Sequence, residues 1–171
     1  AVHLDSLSAR IAEAAVPRAR ERALRLLTYR ERSSHELASR LTDDGYPHEV
    51  VRALVADLAA SGLIDDSRFA HNYARMLVVS RGYGRQRAMR ELIARGIPEE
   101  CAREALDAVA PQEDEEARAS ERARALARAG DTPERLASRL VRRGFAASVA
   151  LRAARNELGE RGESIDSEEA S

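Results

Sequence analysis

Apolar and polar positions follow a helical period along most of this chain, and the pattern returns on itself. Three glycines, Gly45, Gly96 and Gly144, stand 51 and 48 residues apart. Apolar residues recur at matched offsets from them: Leu37, Ala88 and Leu136 eight before, Leu41, Leu92 and Leu140 four before, Tyr46, Ile97 and Phe145 just after. Five after come Val50, Cys101 and Val149, and eighteen before come Leu27, Val78 and Leu126. Such self-similarity marks a repeat architecture, in which each copy is one supersecondary unit. Residues four apart, such as Leu37 and Leu41, share one face of a helix.

Each copy is expected to contain three helices. The glycine fits the position after a helix C-terminus, where a left-handed conformation closes the last turn. Pro47 and Pro98 are placed at the first position of the next helix, where proline loses no needed N–H. Ser33 and Glu36 have capping-box spacing, and Thr132 puts a capping hydroxyl before Pro133. The predicted helices are 18–30, 33–44 and 47–60, then 66–81, 84–95 and 98–109, then 113–129, 132–143 and 146–158. This gives an N-terminal arm (1–17, partly ordered), repeats at 18–62, 63–110 and 111–158, and a tail at 159–171 expected to be disordered. The fold class is all-α: three tandem three-helix, helix-turn-helix-like repeats forming an elongated, curved rod without a deep pocket.

Composition supports helices: 44% hydrophobic, 33% charged, 4% aromatic and no Trp leave Leu, Ala and Val to build the core. The net charge of −1 hides an uneven distribution, and every basic residue is arginine. The tail from Gly159 holds five acids and one arginine, net −4; Arg75 to Arg95 holds six arginines against Glu91, net +5; Arg118 to Leu158 holds ten against four acids, net +6. Arg18 to Ala60 is near balance, eight against seven. The body is basic in its second and third copies and the tail is acidic.

Catalytic, cofactor and metal chemistry find no support in the motifs. There is no phosphate loop, no HExxH and no CxxC, and His3, His35, His48 and His71 are scattered. The pairs Asp43-Asp44 and Asp65-Asp66 sit at helix ends, where capping explains them. Cys101 fills the slot of Val50 and Val149, so it reads as a small core residue. One cysteine permits no intrachain disulfide, and the absence of a signal core or membrane-length apolar run leads to the expectation of a cytoplasmic protein.

The arginines carry the functional signal, sharpest in RGYGRQR, Arg81 to Arg87. Gly84 aligns with the caps Ser33 and Thr132, so a helix start is expected there, with exposed backbone N–H groups that favour an anion. Arg81, Arg85, Arg87, Arg90 and Arg95 surround it, and Tyr83 is placed to stack on a base, fill a partner's pocket or cap the turn. Arg139, Arg142 and Arg143 surround the end of the middle helix in the third copy. The corresponding junctions of the other copies carry acids, Glu31 and Glu36 or Asp131 and Glu134. The candidate partner-binding residues are therefore Arg81, Tyr83, Arg85, Arg87, Arg90, Arg139, Arg142 and Arg143.

GLIDDSRFAHNYARMLVVSRGYGRQRAMRELIARGI, Gly62 to Ile97, resembles the RecX family, regulatory proteins of the bacterial recombinase RecA. The matching residues are Gly62, Leu63, Ile64, Asp65, Asp66, Phe69, Ala70 and Tyr73, then Gly84, Glu91, Leu92, Arg95, Gly96 and Ile97. LVRRGF, Leu140 to Phe145, resembles the third copy of that family, and Ala88 stands where the family has a larger aliphatic residue. The resemblance covers about residues 20–158. It implies three tandem three-helix repeats that lodge in the groove of the RecA–DNA filament. It further implies inhibition of ATP hydrolysis, strand exchange and coprotease action, and so a place in DNA repair, recombination and the SOS response. It implies a non-catalytic monomer with the RecA filament as partner, no cofactor and no membrane. A direct nucleic-acid-binding module acting through phosphate contacts on single- or double-stranded DNA is the alternative reading.

Overall fold

The computed structural model describes the backbone of residues 2–169 and the side chains of residues 14–159. Helices occupy Val2–Tyr29 (α1), Ser34–Asp43 (α2), His48–Ala60 (α3), Asp66–Arg75 (α4), Arg85–Ala94 (α5), Glu99–Val109 (α6), Glu115–Leu126 (α7), Pro133–Arg142 (α8) and Ala147–Glu169 (α9). Among the described residues there is no strand, and no helix is long and apolar enough to cross a membrane. The chain is all-helical.

The capping signals act largely as their residue types require. Ser33 Oγ accepts the Glu36 N–H at 3.1 Å and Thr132 Oγ accepts that of Arg135 at 3.4 Å. Asp65 accepts the Arg68 N–H at 2.9 Å near the start of α4. After α2, Gly45 donates to the Thr42 carbonyl and Tyr46 to that of Leu41; after α8, Gly144 and Phe145 repeat the pair on Val141 and Leu140. Both glycines have positive φ, 89° and 94°, so each middle helix closes with the predicted left-handed turn. The aligned leucines Leu37, Leu41, Leu92, Leu136 and Leu140 are fully buried.

Several boundaries differ from expectation. Pro47 is the N-cap of α3 and Pro98 immediately precedes α6; a fixed φ suits the residue before a helix as well as its first turn. The helix predicted through 81 ends at Arg75 and widens into a π-turn, Met76–Ser80, in which the Arg81 N–H reaches back to the Met76 carbonyl. α7 is preceded by a short 3₁₀ turn, Gln112–Asp114, and stops at Leu126. α1 begins at Val2 and α9 continues to Glu169, through segments where an arm and a disordered tail were expected. The charged side chains of that tail lie outside the described residues.

Two compact units are present, one of the described residues up to Ala70 with Ala94–Pro98, the other of His71–Ile93 with the described residues from Glu99 onward. In the first, α1, α2 and α3 pack around Ala19, Ala23, Leu37, Leu41, Val51 and Leu58. In the second, α7, α8 and α9 pack around Ala119, Ala123, Leu136, Leu140, Phe145 and Ala154. Alanine on one helix opposite leucine on another lets the axes approach closely without aromatic side chains.

Candidate interaction surface

One junction is built twice, once in each unit. In the second, the start of α5 sits on the end of α8: the Gly84 N–H donates to the Arg143 carbonyl at 2.8 Å and the Gln86 N–H to that of Gly144 at 3.1 Å. A Cβ on Gly84 would run into the backbone of Gly144 and Phe145, and one on Gly144 into Arg87. Glycine at both positions is what lets the two backbones meet. In the first unit, Ser33 takes the place of Gly84. Its hydroxyl, fully buried, donates to the Arg95 carbonyl at 2.6 Å, and Gly96 lies against His35. In both, a helix N-terminus meets the carbonyls of another helix's C-terminus, so opposite dipole ends adjoin.

This corrects one expectation. The N–H groups at the start of α5 are not offered to an anion: Gly84 is buried, and it and Gln86 are satisfied by α8. The positive character of this surface comes from side chains alone. The run RGYGRQR contains no acid of its own, but it finds one in space. Arg85, whose side chain is 13% exposed, pairs with Asp107 at 2.5 Å and donates to the Ala110 carbonyl at 3.1 Å. That acid lies 22 residues along the chain, beyond the reach of local counting.

The remaining candidates divide by how they are held. Arg87 stacks on Tyr83, 3.9 Å from the ring centroid, and approaches Glu91 at 3.7 Å and the Arg142 carbonyl at 3.4 Å. Tyr83 therefore supports Arg87. Arg143 donates to the Arg81 carbonyl at 3.0 Å, tying α8 to the turn after the π-helix. Arg139 is mostly buried and paired with Asp131, whose carboxyl is held below its usual range: burial works to raise it, but hydrogen bonds from the Arg128 N–H and Arg139 prevail. Arg81, Arg90 and Arg142 are exposed. Beside Tyr83 a cavity of about 300 Å³ is walled by Val78, Val79, Phe145, Arg118 and Arg122, with Val79 66% exposed. Burial lowers the Arg118 guanidinium, despite nearby Glu115 and Asp114.

Residues outside the sequence-derived set also converge. In the first unit Glu36, 12% exposed, joins Arg30 at 2.9 Å to Arg95. These three line a separate cavity of the first unit together with Arg32 and Arg40. Arg95 stands 59 residues from Glu36, so no local pattern announces this cluster. Among the described residues no group of three or more His, Cys, Asp or Glu could hold a metal ion.

The fold and surface define a class: an all-helical protein of consecutive three-helix domains whose junctions are lined with arginine. Family profiles described as the first and second three-helix domains of RecX match residues 19–58 and 65–106, which take in α2, α4 and α5 whole, most of α3 and α6, and the C-terminal part of α1. The "Regulatory protein RecX" of Thermobifida fusca is 36% identical over 154 residues, spanning 87% of this chain and 83% of that protein. That of Corynebacterium efficiens is 32% identical, spanning 94% and 81%. The crystal structure of RecX from Lactobacillus salivarius shares the fold, with a TM-score of 0.74, 18% identity, and coverage of 85% of this chain and 97% of that one. This chain belongs to the RecX family of regulatory proteins.

Proposed function

We propose that the chain is a non-catalytic regulator that binds in the groove of the RecA–DNA filament and inhibits RecA's ATPase, strand-exchange and coprotease activities. Family membership supports a regulatory role. The observation that carries the contact surface is the set of exposed guanidiniums, Arg81, Arg90 and Arg142, around the α5–α8 junction. Arg87, Arg143 and Tyr83 stiffen that surface. Arginine suits it because its planar fork pairs bidentately with carboxylate or phosphate.

The test is ATP hydrolysis by RecA on single-stranded DNA. Added at equimolar amounts, the chain lowers the rate; an unchanged rate rejects the reading. Arg90→Glu with Arg142→Glu weakens inhibition by about tenfold, the cost of roughly 1.4 kcal/mol expected for two reversed contacts. These exposed positions are cleaner probes than Arg85 or Arg139, whose loss also breaks an internal ion pair.

A further inference from the structure

Four arginines of the first unit gather at an open cavity of about 330 Å³ next to the start of α2. Its walls carry Arg30, Arg32, His35, Ser39, Arg40 and Arg95. The carboxylates nearby are already divided among several cations. Glu36 serves both Arg30 and Arg95, and Asp44 serves both Arg22 at 2.7 Å and Arg40 at 3.3 Å; Asp43 is the other acid on the wall. Arg32 has no carboxylate in ion-pair range among the described residues. Its one hydrogen bond is a long one, 3.5 Å from Nε to the Leu26 carbonyl. Burial, then the like charges of Arg30, Arg40 and Arg22, depress its guanidinium against the pull of Glu36. A cation held among cations at the wall of a cavity is stabilised by an anion from outside.

We propose that this cavity is a phosphate site that seats the backbone of single-stranded nucleic acid, with Arg32 and Arg40 as direct ligands and Ser39 and His35 as flanking donors. A carboxylate is planar and is met by a guanidinium fork, the arrangement Glu36 already has with Arg30. A phosphate presents oxygens in several directions. The cavity answers with donors of different kinds from the α1–α2 turn, the body of α2 and the turn after α5. No Phe, Tyr or Trp lines it, so there is no stacking platform for a base, and the contact is with the backbone, independent of sequence. The proposal does not rest on the RecA reading.

The experiment is fluorescence anisotropy of a labelled oligothymidine of about 20 nucleotides with the full chain and no recombinase, at salt from about 50 to about 200 mM. Arg32→Ala with Arg40→Ala weakens binding about tenfold and makes the log–log salt slope shallower by about 1.4, as expected for two lost phosphate contacts on a single strand. Arg32→Lys with Arg40→Lys restores most of the affinity. Ser39→Asp, at an exposed position, sets a carboxylate on the wall without removing an arginine and weakens binding comparably. Poly-glutamate at matched charge fails to compete. Wild-type affinity and slope in the double alanine variant, or wild-type binding by Ser39→Asp, overturns the site. Competition by poly-glutamate equal to that of unlabelled oligonucleotide overturns the phosphate assignment in favour of an acidic protein.

Discussion

At Gly84 the absence of one carbon atom lets two chain segments meet. The residue is buried, its N–H is bound to α8, and any Cβ would collide with backbone, which cannot swing aside as a side-chain tip can. Gly45 is the useful contrast: it has a φ of 89°, but a Cβ added there would meet nothing within 4 Å. Gly45→Ala therefore costs only the left-handed strain, about 1 kcal/mol. Gly84→Ala costs about 1–3 kcal/mol, through a forced shift at the junction. Urea unfolding midpoints order the two; an equal or reversed order rejects the packing account. Tyr83 and Arg85 belong to the same scale. One braces an arginine and the other closes an ion pair with α6, so neither is a simple exposed contact.

Helix ends decide how the elements join. α2 and α8 are both capped by a hydroxyl, but Ser33 also reaches another element, whereas Thr132 bonds within the start of its own helix. Ser33 caps α2 and also donates across to the turn after α5 while fully buried. Thr132 is exposed and accepts a single N–H. Ser33→Ala accordingly destabilises by about 2 kcal/mol, the loss of the cap together with the bond to the Arg95 carbonyl, and Thr132→Ala by about 0.5–1 kcal/mol. Chemical denaturation of the two variants checks the difference. The α5–α8 junction makes the same point for function: its helix N-terminus is already occupied, so arginine side chains are left to do any recruiting.

Across the molecule, acid sensitivity follows from carboxylates committed to arginine and to helix starts. Glu36 is held low because its bonds to Arg30 and Arg95 outweigh burial, the largest opposing influence. Glu134 is lowered first by its own backbone N–H and then by Thr132, at the start of α8. Asp131 is lowered by Arg128 and Arg139 against burial. Each binds its proton less readily folded than unfolded. Their contribution is complete above the unfolded carboxylate range, about pH 4, and is lost as pH falls through the lower folded values. Unfolding midpoints are expected to hold from about pH 7 to about pH 5 and to drop below about pH 4. Glu36→Gln flattens that drop while lowering stability at neutral pH. A midpoint flat into acid, or an unchanged slope in Glu36→Gln, contradicts the assignment.

The sequence by itself determined the helices, their caps and their repetition. Those depend on residues three or four apart, on a glycine after a helix and on a hydroxyl before one, all local relations that a linear pattern records. It also placed the arginines in blocks. Tertiary structure decided which of them are available, because an ion pair depends on distance in space: Asp107 reaches Arg85 across 22 residues and Glu36 reaches Arg95 across 59. Folding likewise turned the N-terminus of α5 from an apparent anion site into a joint with α8. It gathered Arg30, Arg32, Arg40 and Arg95 at one cavity, although the charge of the first copy, which supplies three of them, is nearly balanced. Net charge along a chain averages over neighbours in sequence, whereas a surface sums the groups that packing brings together.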